Sequence, residues 1–178
     1  MNQLFRRQLV DYVEYHRDPW NCTMHVLGIL SLFLAAVLPL SAWHLHPFGL
    51  DVRLSAVMAL PVLIYWLLLD AVLGTAILGA AFLLLSLAAF IVDHAGATAL
   101  WSIFATLAIF GVGAQIVGHR VFERRQPALV DNPSHLLLGP MFVMAKLFIV
   151  LGFRHDLAVI LAPSRGSYSL SADQFQRD

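Results

Sequence analysis

Residues 115–139, QIVGHRVFERRQPALVDNPSHLLLG, lie between two long apolar runs and decide how the chain is interpreted. His119 and Glu123 are four residues apart in this stretch, so a helix places them on one face, one turn from each other. Two prolines that follow predict the end of that helix. Because His119 closes one apolar run and His135 opens the next, we expect both side chains at the same side of a membrane.

The composition is typical of an integral membrane protein. Of 178 residues, 60% are hydrophobic and 12% are charged, and the mean hydropathy is +0.77. A soluble domain typically contains about 25% charged residues. The formal net charge is zero, which gives no electrostatic basis for binding nucleic acid. Cys22 is the only cysteine, so an intrachain disulfide framework is excluded.

The apolar runs predict an all-α integral membrane bundle of about five spanning helices. Residues 2–16 have an amphipathic pattern that predicts an N-terminal helix in the membrane interface. Five later runs approach or exceed the length that a span requires; they cover residues 24–43, 52–69, 72–92, 98–118 and 136–153. We therefore expect one membrane-embedded domain over residues 1–153 and a polar tail over residues 154–178.

The arginines predict the orientation of the bundle. Five spans place one arginine set on the side of the N-terminus, namely Arg6, Arg7, Arg17, Arg120, Arg124 and Arg125. The opposite side receives Arg53, Arg154, Arg165 and Arg177. Cytoplasmic loops carry an excess of arginine and lysine, so the N-terminus is predicted to be cytoplasmic. The strong preference for arginine over lysine favours a bacterial source, and hence the inner membrane.

The eight histidines fall into two sets of four. The set at the predicted cytoplasmic face is His16, His25, His119 and His135. The set at the opposite face is His44, His46, His94 and His155. A single histidine is more often structural than a ligand, but four at one depth from separate segments indicate convergence, and neutral imidazole is the commonest metal ligand. We therefore expect a metal site in the first set, and the second set is its rival if the topology is wrong.

Four polar residues near these segments have more than one interpretation. Asp70 interrupts an apolar run, so it is either functional or a turn residue at the interface. Glu123 either orients His119 or pairs with an arginine. Asn21 caps the first span or belongs to the site. Lys146 lies within the last apolar run, so its ammonium group is expected to face the bundle interior or a cavity, or to extend toward the interface.

Four stretches together resemble a known membrane family. They read YHRDPWNCTMHVLG (15–28), YWLLLDAVLG (65–74), QIVGHRVFERRQPAL (115–129) and HLLLGPMFV (135–143). The family, formerly a domain of unknown function, is named for the metabolism of phytosphingosine to odd-numbered fatty acids. The resemblance covers most of residues 12–145 and implies an iron(II)-dependent dioxygenase for 2-hydroxy fatty acids, the activity of the family's yeast founder.

The resemblance also implies which residues act. It points to three histidines with four polar residues around them, namely His16, His25 and His119 with Asn21, Asp70, Gln115 and Glu123. His135 occupies a position where histidine is not universal in the family, and Lys146 one where an acidic residue is expected. The implied partners are a long-chain 2-hydroxy fatty acid, O2 and membrane lipid.

The implied reaction uses O2 to shorten a 2-hydroxy fatty acid by one carbon. If four histidines bound a six-coordinate iron and the substrate chelated it, no position would remain for O2. Either three histidines bind and the fourth orients a group, or the substrate binds through one oxygen. Two other functions remain open: a non-catalytic lipid-binding or transport module with structural histidines, and a two-iron desaturase or hydroxylase. The absence of an H-x-x-H-H pair disfavours the second.

Overall fold

The computed structural model describes residues 2–124 and 135–161, and within them the chain is all-α, as predicted. The helices are α1 (Gln3–Glu14), α2 (Pro19–Ser41), α3 (Leu54–Leu69), α4 (Ala71–His94), α5 (Ala97–Val117), α6 (His135–Val150) and α7 (His155–Leu161). A π-helical segment, Gly118–Glu123, continues α5. Two short antiparallel strands, β1 (His44–Leu45) and β2 (Val52–Arg53), flank a 3-10 turn between α2 and α3.

Short polar side chains set the starts of three helices. Asn2 accepts a backbone N–H bond from the first turn of α1. Asp18 does the same for α2, and Pro19 occupies the first helical position, where a missing N–H costs nothing. Asp70 caps α4 by accepting the backbone N–H of Leu73 at 3.1 Å. The helical hairpin predicted around Asp70 is therefore confirmed, with α3 and α4 on either side of it.

The helices run between two ends of one bundle. At one end, Arg53 donates to the Ser41 carbonyl at the close of α2 and to the Asp93 carboxylate near the close of α4, at 2.6 and 2.7 Å. We call this the distal end. The hairpin turn at Asp70 lies at the other end, where α2 begins and α5 closes. We call it the histidine end, because His119 lies there.

Within residues 2–124 and 135–161, three helices are long and apolar enough to cross a membrane, namely Pro19–Ser41, Ala71–His94 and Ala97–Glu123. Helix α3 has 16 residues, fewer than a typical span, but it joins the same two ends as α4. The predicted count of five spans is not confirmed. The fifth run forms α6, which is followed by α7 at the start of the predicted tail, and the two helices are bent by 117° at their junction.

Both ends of this bent pair contact the histidine end. Lys146 in α6 places its ammonium nitrogen 2.8 Å from the sulfur of Cys22, in the first turn of α2. Arg154, between α6 and α7, forms two hydrogen bonds with Asp70 at 2.9 and 3.1 Å. A span would carry Arg154 to the distal end. The pair therefore returns to the histidine end, for which we call it re-entrant, and the assignment of Arg154 and the adjacent His155 to the opposite side is wrong.

This correction makes the arginine asymmetry stronger. Of the arginines that the structure describes, those at the histidine end are Arg6, Arg7, Arg17, Arg120, Arg124 and Arg154, and Arg53 alone lies at the distal end. Arg125, Arg165 and Arg177 lie outside the described residues, as does most of the predicted polar tail. Helix α7 occupies the start of that tail.

Helix α1 packs on the bundle through the face that its sequence pattern predicts. Phe5, Leu9 and Tyr12 are buried and belong to one apolar cluster with residues of α6 and α7. Glycines make a second close contact, between α2 and α5. A Cβ on Gly28 would lie 3.1 Å from the Gly111 carbonyl oxygen, so small residues allow these two helices to approach closely, as is common in membranes.

Candidate metal centre

Three of the four predicted histidines converge on one point. His16 lies between α1 and α2, His25 lies on α2, and His119 lies on the π-helical segment after α5. All three are buried, and one ring nitrogen of each lies within 4.8 Å of the others. In the described parts of the chain, this is the one cluster of three or more such side chains with metal-site spacing.

Hydrogen bonds fix which ring nitrogen is available on two of these histidines. His16 Nδ1 lies 2.8 Å from the Tyr12 carbonyl oxygen, so this nitrogen carries the proton and Nε2 keeps a lone pair. His25 Nδ1 lies 3.1 Å from Asn21 Oδ1. Because an amide oxygen accepts hydrogen bonds, this nitrogen also carries the proton, and Nε2 of His25 keeps a lone pair. Within the described structure, His16 Nε2 is buried with no hydrogen-bond partner.

His119 reaches the cluster through an unusual stretch of backbone. The π-helical turn that carries it is wider than an α-helical turn, and such turns often occur at functional sites. A side chain at the preceding Gly118 would overlap Asn21, so glycine lets this turn pack directly on α2. His119 Nδ1 is also buried without a hydrogen-bond partner among the described residues. Two nitrogens of the cluster thus have no hydrogen-bond partner in the part of the chain that the structure describes.

Glu123 supports a different histidine from the one expected. Its Oε1 accepts the backbone N–H of Asp18 at 2.8 Å and the side-chain amide of Asn21 at 3.3 Å. Asn21 in turn contacts His25, so a chain of hydrogen bonds runs from Glu123 to His25. The sequence predicted that Glu123 orients His119, but His119 Nδ1 has no hydrogen-bond partner among the described residues. Asp18 is the cap of α2, so the interpretation of Asn21 as a helix cap is wrong, and its side chain contacts His25 in the site.

His135 stands beside the cluster and not within it. It lines the same cavity, and its Nε2 donates to the Asp11 carboxylate at 2.8 Å. Its Nδ1 is buried with no hydrogen-bond partner in the described structure. In the tautomer whose proton is on Nε2, where Asp11 accepts it, Nδ1 keeps a lone pair and can act as an acceptor. This agrees with the interpretation in which three histidines bind a metal and the fourth orients a group.

The histidines line one side of a cavity of about 140 Å³. Its other walls are mainly apolar and include Ile29, Leu32, Phe33, Leu136 and Gly139. Gln115 also lines it and donates to the backbone carbonyl of His25 at 3.4 Å. A polar group can therefore reach the histidines while an attached apolar chain remains among the helices.

The surroundings of His16 keep its imidazole neutral. Burial, together with the nearby His25, lowers the pKa of His16 to about 2. The ring of Tyr12 stacks on it with ring centroids 4.0 Å apart. Neutral imidazole is the form that binds metal. Buried, neutral rings with unpartnered nitrogens therefore fit a metal ion better than they fit a structural hydrogen-bond network.

Asp70 has a structural partner away from the cavity. It does not line the cavity, and its carboxylate binds Arg154. Burial acts to raise the pKa of Asp70, but the hydrogen bonds and positive charge of Arg154 lower it below its ordinary value. The structure thus supports the interpretation of Asp70 as a turn residue.

The rival set of histidines does not converge. His44 contacts Asp51 at 2.6 Å, and His46 lies 3.8 Å from the same carboxylate. His94 bonds the Phe90 carbonyl within its own helix. His155 begins α7 at the histidine end.

Two residues of the site were missed from the sequence. Tyr12 accepts a hydrogen bond from His16 through its backbone carbonyl and stacks its ring on the imidazole. It precedes His16 by four residues, and this helical spacing could have revealed the pair. Asp11, which holds His135 from 124 positions away, gave no comparable signal.

The comparison with known proteins agrees with this geometry. The family model described as "2-hydroxy-palmitic acid dioxygenase Mpo1-like" matches residues 2–151. This chain belongs to the Mpo1-like family. It is similar to "2-hydroxy-palmitic acid dioxygenase MPO1" of Saccharomyces cerevisiae, with 35% identity over 161 residues, which are 88% of this chain and 86% of the yeast protein. No solved structure matches the chain.

Membership of the Mpo1-like family confirms the resemblance drawn from the four sequence stretches. The matched region contains His16, His25 and His119, together with His135. The cluster therefore lies in the part of the chain that the family defines.

Proposed function

We propose that this protein is an iron(II)-dependent dioxygenase that shortens long-chain 2-hydroxy fatty acids by one carbon. The observation that carries the proposal is the cluster of three buried histidines, at the polar end of an otherwise apolar cavity. The family name and the name of the yeast relative describe a dioxygenase for a 2-hydroxy fatty acid. The amphipathic cavity suits such a substrate.

Iron(II) is the metal that best fits this chemistry. His16, His25 and His119 would hold it, and three protein ligands leave positions for other groups, as in non-haem iron oxygenases. Bound there, the ion supplies the reaction with O2, which protein side chains do not provide. Tyr12 and Asn21 orient two of the rings, since the nitrogen opposite each hydrogen bond is the one left to bind.

The other polar groups of the cavity position the substrate. His135 Nδ1, kept as an acceptor by Asp11, accepts a hydrogen bond from the 2-hydroxyl group. Gln115 borders the same space and holds the backbone of α2 at His25. This assignment explains why a non-hydroxylated acid should be a poor substrate, because it would leave the buried His135 nitrogen without a partner.

The proposed location is a bacterial inner membrane with the cavity at the cytoplasmic face. The arginine excess at the histidine end supports this orientation. A fatty acid in the inner leaflet would then present its carboxylate at the depth of the histidines while its chain stays in the apolar layer.

The overall conversion needs no separate reductant. With carbon dioxide and water as the other products, RCH(OH)COOH + O2 → RCOOH + CO2 + H2O balances in atoms and electrons.

The test uses purified protein loaded anaerobically with ferrous iron, a long-chain 2-hydroxy fatty acid and O2. We expect O2 consumption and an acid one carbon shorter, with little product from the non-hydroxylated acid of equal length.

Failure to form a shortened acid at any iron loading would reject the dioxygenase assignment. The protein would then be better described as a non-catalytic lipid-binding or transport module. Metal far below one ion per chain after anaerobic loading would point to the same conclusion.

A further inference from the structure

We propose that a groove between α2, α3, α4 and α6 holds the acyl chain of the substrate, and that its narrowest part sets the preferred chain length. The inference rests on the proposed function, and it concerns residues far from the histidines. It is carried by three cavities that share side chains and extend from the histidine end toward the distal end.

The first link joins the histidine cavity to a middle chamber of about 120 Å³. Ile29 and Phe33 line both spaces. Pro140 and Val143 of α6 and Ile77 of α4 form other walls of the middle chamber. The re-entrant helix α6 thus closes one side of the path that leads away from the histidines.

The second link joins the middle chamber to a distal chamber of about 170 Å³. Four residues line both chambers and form the neck between them: Phe33, Trp66, Ala81 and Leu84. The rings of Phe33 and Trp66 lie 6.0 Å apart. Trp66 is fixed, because its indole N–H donates to the Leu137 carbonyl at 2.7 Å. Ala81 is the smallest side chain of the neck. A larger side chain at this position would therefore narrow the opening.

The path is apolar and long enough for an acyl chain. Of the described residues that line the middle and distal chambers, none is charged. From His25 to Leu40, which borders the distal chamber, the distance along α2 is about 22 Å at 1.5 Å per residue. One leaflet of a bilayer offers about 15 Å of hydrocarbon. A long extended chain can therefore lie wholly within the groove while its polar end meets the histidines.

Shape determines the length preference more than hydrophobicity does. A fatty acid enters the groove from lipid, which is as apolar as the groove, so the transfer of each methylene group contributes little. Overfilling a packed site, in contrast, costs free energy through strain. The neck therefore selects by steric fit, and the chambers beyond it decide which chains fit without strain.

The test compares three substitutions across a series of 2-hydroxy fatty acids of increasing chain length. Ala81→Phe fills the neck and should lower kcat/KM for long chains relative to short ones by about tenfold, the size expected for an overpacked site. Ala59→Phe fills only the distal chamber and should affect only the longest chains. Ala56→Phe, three residues earlier on α3, is exposed and lines neither chamber, so its profile should match that of the unmodified protein.

A second measurement covers the case in which Ala81→Phe fails to fold. Ala81→Leu is a smaller change, and its profile should shift in the same direction. In addition, a 2-hydroxy fatty acid with a photoreactive diazirine at its chain end should label peptides of α3 and α4. Excess unlabelled 2-hydroxy fatty acid should compete, whereas phosphatidylcholine should not.

The outcomes separate the groove from the proposed function. An unmodified protein that shortens no acid of any length rejects the proposed function. An active protein whose length profile is unchanged by Ala81→Phe and Ala81→Leu rejects the groove alone. Labelling displaced equally by phosphatidylcholine would make the groove a site for bulk lipid and would also reject the inference.

Discussion

Glu123 accepts a hydrogen bond from the side-chain amide of Asn21, 102 positions earlier in the chain, at 3.3 Å. The bond joins the π-helical segment after α5 to the first turn of α2. Since Asn21 also contacts His25, a carboxylate outside the cluster controls the orientation of a ring inside it.

The first prediction concerns this chain of hydrogen bonds. Glu123→Gln should lower iron(II) affinity by about 10–100-fold, the range found for groups that orient metal ligands. A chelator competition assay on anaerobic protein measures it. Asp51→Asn at the distal end is the control and should leave affinity unchanged. Equal affinities for Glu123→Gln and the parent would show that Asn21 orients His25 without help from Glu123.

The second prediction concerns the metal ligands. Alanine at His16, His25 or His119 should each remove most of the bound iron, because each supplies one of only three ligands in the proposed site. Alanine at His44 or His94 should leave the iron content at the level of the parent. Metal analysis of purified protein checks this, and the opposite result would move the centre to the distal end.

The third prediction separates His135 from the other three histidines. His135→Ala should retain iron but lose turnover, and Asp11→Asn should weaken turnover in the same direction, because the ring then loses its anchor. Iron content and product formation are measured on the same preparation. Loss of iron from His135→Ala to the level of His16→Ala would make His135 a fourth ligand.

The fourth prediction concerns the re-entrant pair. Single cysteines at Arg17 and at Val159 in α7 should respond alike to an impermeant thiol reagent applied to intact cells. A cysteine at Phe48, in the loop at the distal end, should respond in the opposite way. The buried Cys22 of the parent serves as the background. If Val159 grouped with Phe48, α6 would cross the membrane as the sequence first predicted.

The arginine excess adds a direction to this prediction. With the histidine end in the cytoplasm, cysteines at Arg17 and Val159 should be shielded and that at Phe48 should be labelled. Whether the cysteine at Val159 responds like that at Arg17 or like that at Phe48 tests the fold. Which of these cysteines the reagent labels in intact cells tests the orientation.

The fifth prediction concerns the buried ion pair between Asp70 and Arg154. Their side chains are 2% and 16% exposed, and removing one partner of a buried pair costs about 3–5 kcal/mol. Asp70→Asn should therefore lower the unfolding temperature strongly in detergent. Asp51→Asn removes an exposed pair and should have little effect. Equal losses in the two variants would contradict a buried pair that stabilises the fold.

The same pair gives a pH dependence with a definite sign. The folded-state pKa of Asp70 lies below its ordinary value of 3.8. Its contribution to stability is therefore complete above that value and is lost as the pH falls through the lowered folded-state pKa. Thermal unfolding measured across acid pH should show this loss in the parent and not in Asp70→Asn.

Local patterns predicted most of the architecture. Apolar length gave the helices α2 to α5, and proline and short polar residues gave the helix ends at Asp18 and Asp70. The path of α6 could not be predicted, because a re-entrant helix and a spanning helix have the same apolar composition. The ion pair between Arg154 and Asp70, which are 84 positions apart, determines which of the two paths α6 takes.

The site shows the same division between local and distant information. Four histidines at one depth predicted convergence, and three of them meet. Which carboxylate supports which ring was not predictable, since His119 and Glu123 have ideal spacing for an α-helix but lie on a π-helical turn. The geometry of that turn depends on Gly118 packing against Asn21, which only the folded chain reveals.

The contact between Arg154 and Asp70 also has a consequence for the order of membrane assembly. A buried charged side chain is costly until it meets its partner. The α3–α4 hairpin, which carries Asp70, must therefore be in place before the α6–α7 pair settles. Assembly would proceed in two stages, with the crossing helices first and the helix that closes the cavity last. The cavity would then be completed only in chains whose hairpin has already inserted correctly.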